Sequence, residues 1–105
     1  MKRALQGLLI AGETMRDAVL NDTKKITIRE GHRDYTPGPV LIGCHLLNWA
    51  TIRIIISVRH TTLIRLHPKD WIADGCNSQE ELLQMLRQFY PDLNLDSEVT
   101  VIEWR

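Results

Sequence analysis

Thr51-Ile52-Arg53-Ile54-Ile55-Ile56-Ser57-Val58-Arg59-His60 carries the clearest pattern in the chain. Ile52, Ile54, Ile56 and Val58 fall on one side of an extended chain. Thr51, Arg53, Ile55, Ser57 and Arg59 fall on the other. A period of two marks a half-buried strand, with the isoleucine side expected to face the core. Residues 61–66 are β-branched enough to predict a further strand. Upstream, Val40-Leu41-Ile42-Gly43-Cys44 is nearly all apolar, as a strand buried on both faces would be. Residues 5–10, 25–29 and 99–104 complete a set of about six short strands.

Helical spacing appears in three places. Met15, Ala18 and Val19 predict a short helix over residues 13–20, ended by Asn21-Asp22. His67-Pro68-Lys69-Asp70 opens a second, with Pro68 in its first turn and Gly75 just past its end. Ser78-Gln79-Glu80-Glu81 has the form of a capping box. The helix it starts carries Leu82, Met85, Leu86 and Phe89 on one stripe, and Tyr90-Pro91 stops it. Strands and helices do not alternate strictly, which argues against a doubly wound sheet. The expected fold is mainly β with flanking helices (α+β), a small, partly closed mixed β-barrel with two or three helices.

With 105 residues the chain has room for one domain able to bury a core without disulfides or metal. Apolar residues make up 44% and charged ones 25%, and 13 basic side chains balance 13 acidic ones. That balance gives no global pull toward nucleic acid or anionic lipid, so any nucleic-acid ligand needs a local site. The opening Met1-Lys2-Arg3 followed by Leu8-Leu9-Ile10 is too short an apolar run for a signal peptide and is broken by Gly12 and Glu13. No stretch approaches the ~20 apolar residues of a membrane span. The expected compartment is the cytoplasm. Cys44 and Cys76 have no second ligand beside them, and His32, His45, His60 and His67 form no pair at metal-ligand spacing. Neither metal nor cofactor is expected.

The chemistry concentrates in Lys24-Lys25-Ile26-Thr27-Ile28-Arg29. Parity sets Lys25, Thr27 and Arg29 on one strand face, and a hydroxyl between cations can hold a phosphate or carbonyl oxygen. The same pattern also suits a solvated edge strand. Asp74, fixed at a helix end, is the best carboxylate. Arg53, Arg59, Arg65 and Lys69 would suit a phosphate-tracking groove or a plain solvated sheet face. His32 and Tyr35 lie in the loop of residues 30–38, where Tyr35 is the aromatic most expected to be exposed. Trp49 and Trp71 could stack on a base, whereas Trp104 has the parity of Thr100 and Ile102 and is read as core.

Four stretches in order resemble the ASCH domain family, over residues 6–104. Asp22-Thr23-Lys24-Lys25-Ile26-Thr27-Ile28-Arg29 resembles its signature, a helix ending in a Gly-x-Lys turn and a strand ending in Thr-Ile-Arg. Tyr35-Thr36-Pro37-Gly38-Pro39-Val40-Leu41 is similar to its Pro-Gly-Asp-Val-Leu stretch. Asp74-Gly75-Cys76 with Glu80-Glu81-Leu82 is similar to its Glu-Gly-Phe motif and following helix. Val99-Thr100-Val101-Ile102-Glu103-Trp104 matches its final strand. Two positions differ: Asp22 stands where the family has glycine, and Asp74, one methylene shorter, where it has glutamate.

The resemblance implies a PUA-like barrel and is nearest to the short bacterial N4-acetylcytidine amidohydrolases. It implies Lys24, Thr27 and Asp74 as catalytic residues, and Lys24 rather than Lys25 as the lysine. Arg29, Lys25, Tyr35, Arg53, Arg59 and Arg65 would contact a nucleoside or single-stranded RNA. Two further readings remain: a non-catalytic module binding RNA or a modified nucleotide, and a nuclease of single-stranded RNA. The sequence does not give an oligomeric state.

Overall fold

The computed structural model describes residues 5–10, 13–44 and 48–105. His45, Gly12 and residues 1–3, considered above, lie outside them. The elements are β1 (Gln6–Leu9), α1 (Glu13–Leu20), β2 (Ile26–Glu30), β3 (Gly38–Cys44), β4 (Trp49–Thr62), α2 (Pro68–Ala73), α3 (Gln79–Arg87) and β5 (Glu98–Trp104). The strands form one sheet in the order β1-β3-β4-β5-β2. β1 runs parallel to β3 and every other pairing is antiparallel. The sheet curls into a half-barrel, so the fold is a small α+β barrel-like one with three helices, mainly β as the sequence predicts.

Each face of the sheet has its own core. On the α1 face, Val19 packs with Leu8, Val40, Ile42, Ile55, Ile102 and Trp104. On the α3 face, Leu82 and Leu86 pack with Ile26, Ile28, Leu63, Val99 and Val101. β5 feeds both cores with alternate residues, which explains its nearly unbroken apolar run. Trp104 is buried beside Ile102, as its parity requires.

β4 departs from the expectation in two ways. First, residues 51–60 and 61–66 do not form separate strands. β4 runs to Thr62, and a single 3-10 turn, Leu63–Arg65, follows. Leu63 and Leu66 are both buried, and that spacing of three belongs to a 3-10 turn, not to a strand. Among the described residues, five strands therefore stand where six are expected.

Second, the isoleucine side of β4 is not the buried one. Ile55 is 1% exposed, whereas Ile52 and Ile56 are 58% and 51% exposed. The register against β5 slips between Ile55 and Ser57, the mark of a β-bulge. One extra residue reverses the alternation, so Ile55 before the bulge and Val58 after it share the α1 core. A simple period of two hides this, because it assigns Ile55 to the polar side. Ile55→Ala is expected to cost ~2–5 kcal/mol, and Ile54→Thr to stay within ~0.5 kcal/mol of the parent, when unfolding of the dilute chain is followed in urea. Equal losses at both positions would contradict the placement of the bulge.

Candidate functional site

The site begins where α1 ends. Asp22 adopts φ 65°, the left-handed conformation that closes a helix and that glycine tolerates best. Aspartate is among the few other residues that enter it readily. The backbone N–H groups of Thr23 and Lys24 both donate to the Ala18 carbonyl at 2.9 Å. The turn thus delivers Lys24 at the foot of β2 in one orientation. Its side chain reaches Asp74 of α2, with Nζ 2.6 Å from Oδ1. Asp74 is the C-cap of that helix, followed by Gly75 at φ 89°.

Thr27 and Arg29 point to the α1 face of β2. The Arg29 guanidinium donates from Nε to the Thr27 hydroxyl at 3.1 Å and from Nη2 to the Leu9 carbonyl at 2.7 Å. β1 and β2 are the two edges of the sheet, so this one side chain spans the seam between them. A cavity of about 300 Å³ opens along the seam. Lys24, Thr27, Arg29 and Asp74 line it, and Ile10, Met15, Met85 and Phe89 supply apolar wall.

The seam explains how these residues meet. Thr27 and Arg29 come from one face of β2, Lys24 lies two residues ahead of the strand, and all reach the cavity around an edge that no described strand covers. Lys25 has the parity of Thr27 but is exposed and does not line the cavity.

The ion pair is nearly dry, with side-chain exposures of 11% for Lys24 and 4% for Asp74. Burial pushes the Asp74 carboxyl above its ordinary 3.8, and the charge and hydrogen bond of Lys24 hold it back only in part. Thr27 accepts from Arg29, and its own proton is bonded to none of the described residues. The arrangement places a buried hydroxyl, a cation that orients it, and a carboxyl–amine pair able to exchange a proton around one small space.

The other expected contact residues lie elsewhere. Arg53 faces α1 and donates to the Val19 and Leu20 carbonyls, with Asp22 3.3 Å away. Arg59 lies on the opposite face, bound to Asp70 at 2.7 Å and Glu103 at 2.8 Å. Burial alone would raise the Asp70 carboxyl, but Arg59 holds it below its ordinary value. The bulge is the reason Arg53 and Arg59 do not share a face, as the period of two had implied. Arg65 is exposed on the 3-10 turn. Tyr35 is packed against the α1 core, its hydroxyl donating to the Gly7 carbonyl at 2.7 Å. His32 stacks on His60 with ring centroids 3.7 Å apart.

Two residues of the cavity escaped the sequence reading. Phe89 was expected on the core stripe of α3, but the helix ends at Arg87 and Phe89 lies on the following turn, 65% exposed at the cavity. Met15 was read only as a core position. The Tyr90-Pro91 pair, which ends α3 early, was the available signal for Phe89.

No family model, no curated protein and no solved structure matches the chain.

The ion pair has measurable consequences. Lys24→Met leaves a buried carboxylate without a partner and is expected to cost ~3–5 kcal/mol near neutral pH, while Lys24→Met/Asp74→Leu recovers most of that loss. Because the folded value of Asp74 is raised, its contribution is fully present below 3.8 and is lost as pH rises through the raised value. Lys24→Met removes what holds the carboxyl down, so its loss extends to higher pH. Urea unfolding across a pH series checks both, and equal pH profiles for parent and Lys24→Met would contradict the coupling.

Proposed function

We propose that the seam cavity is the active site of an amidohydrolase that removes the acetyl group from N4-acetylcytidine or a related acylated base. The convergence of Lys24, Thr27, Arg29 and Asp74 on one cavity supports this reading, since that is the set the resemblance to ASCH amidohydrolases implies. The size of the space supports it too. About 300 Å³ suits a single base with its acyl group and is too small for an oligonucleotide track.

In this mechanism the 2.6 Å pair first moves its proton, giving a neutral Lys24 amine and a protonated Asp74. The burial that raises the Asp74 carboxyl favours its protonated form. Thr27 attacks the acyl carbon as Lys24 takes its proton. The C–N bond breaks as Asp74 protonates the leaving amine. An acetyl-threonine ester and the Lys24–Asp74 ion pair result. Water then attacks the ester, its proton goes to Asp74, and Lys24 returns a proton to the Thr27 oxygen. Acetic acid leaves, losing its proton to solvent as acetate, and the starting state is restored. Arg29 orients Thr27 throughout, and its remaining N–H groups meet the charge that develops on the carbonyl oxygen. Phe89 and Met15 flank the planar base.

Against this, the reading as a phosphate-tracking RNA module is weaker, because Arg53 and Arg59 are committed to partners within the fold.

The assay is release of cytidine from N4-acetylcytidine by the purified chain. Thr27→Ala and Asp74→Asn are each expected to lower kcat by ~100-fold or more. Phe89→Ala should act mainly on KM. Cytidine release equal to that of the Thr27→Ala protein would refute the hydrolytic reading, and nucleoside binding without turnover would then assign the cavity a recognition role.

A further inference from the structure

The sheet has a second unusual surface, on the far side of β1, β3 and β4. α2 and α3 cover the β5–β2 half of that face and leave the other half bare. The bulge turns Ile52, Ile54 and Ile56 of β4 toward it, Leu41 of β3 lies beside Ile52, and Leu9 of β1 follows. Leu5, one residue ahead of β1, continues the same phase. These six side chains are 38–59% exposed. The positions between them on that face are Gly7, Pro39, Gly43 and Ala50, and polar side chains return only past the bulge, at Ser57 and Arg59.

Such a face is costly to leave in water. The six side chains expose roughly 600 Å² together, at the top of the range for the largest apolar patch on a monomer. We propose that this face is where a second copy of the chain packs, sheet against sheet, about a twofold axis. A twofold pairing would remove roughly 1,200 Å² from these residues alone, which already reaches the lower bound of stable interfaces. Residues at its rim would add to that.

Charge selects the occupant. Among the described residues the patch itself is apolar, and its nearest charges, Arg105 opposite Ile54 and the Arg59–Glu103 pair, stand at its edge. A second copy carries the same apolar face and, with 13 basic and 13 acidic side chains, no net charge to repel its mate. The surface is also suited to itself in shape. Large side chains at Leu41, Ile52 and Ile54 neighbour small ones at Gly7, Gly43 and Ala50, and facing sheets at the usual ~10 Å spacing interdigitate in this way. An isologous contact of this kind closes at two copies.

The test is sedimentation or light scattering of the full chain over ~1–100 µM. Expected is a mass twice the 12.1 kDa of one chain at the upper end. Ile52→Glu should give a monomer whose circular dichroism and urea midpoint stay close to those of the dilute parent, because the position is exposed. Ile52→Ser offers a milder check, expected to weaken the dimer ~10-fold or more. A parent that stays monomeric at every concentration overturns the proposal. So does a dimer unaffected by Ile52→Glu and Ile54→Lys, which would place the contact elsewhere. Association of the parent with some other protein while it remains monomeric alone would overturn it as well.

Discussion

The sheet has two edges, and the fold must bring them together without pairing them. A five-stranded sheet of this curl is too short to close as a barrel, so β1 and β2 face each other across an open seam. An open edge leaves backbone groups unpaired. Here Arg29 bridges the gap by donating to the Leu9 carbonyl, and α1 and the end of α3 fill the space on either side. The candidate site is the remainder of that gap. Lys24, just ahead of β2, can meet Thr27 and Arg29 there because no described strand other than β5 lies alongside β2.

Much of the architecture was legible in the chain because local rules and packing agree. The Pro68 start, the Ser78 cap and the glycine after Asp74 stand where helix ends require them. β5 is the strand buried on both sides, whereas β3, whose apolar run suggests the same, leaves Leu41 exposed. What the sequence hid came from interactions that pattern cannot express. A single bulge in β4 reversed the meaning of an alternation that was correctly seen. The burial of Leu63 and Leu66 turned a β-branched run into a 3-10 turn. The end of α3 two residues before Phe89 moved an aromatic from the expected core stripe to the mouth of a cavity.

The site was legible in a different sense. Spacing alone grouped Lys25 with Thr27 and Arg29, and the geometry instead joins Lys24 to Asp74 across 50 positions of sequence. No periodicity encodes such a contact. What fixes it is the turn at Asp22, whose left-handed backbone sends the following residues back over α1. The Arg53 side chain, expected to meet phosphate, reinforces that same turn by capping the carbonyls of Val19 and Leu20. That arginine thus braces the turn that aims the lysine lining the cavity.

The bulge ties the two halves of the molecule together. Without it, β4 would keep one face toward α1 along its whole length, and either Ile55 or Val58 would leave the core. With it, Ile55 and Val58 both reach the α1 core, and Arg59 turns to the α3 face to hold Asp70 at the start of α2. Asp70 in turn accepts from the His67 backbone and closes the cap that begins this helix. α2 ends at Ala73, and its C-cap Asp74, four residues after Asp70, lines the cavity. The position of the carboxylate therefore depends, through Arg59 and Asp70, on the same backbone irregularity that exposes the isoleucine face. A substitution that straightened β4 would either bury those isoleucines in place of Ile55 or turn Arg59 away from Asp70 and loosen the support of Asp74.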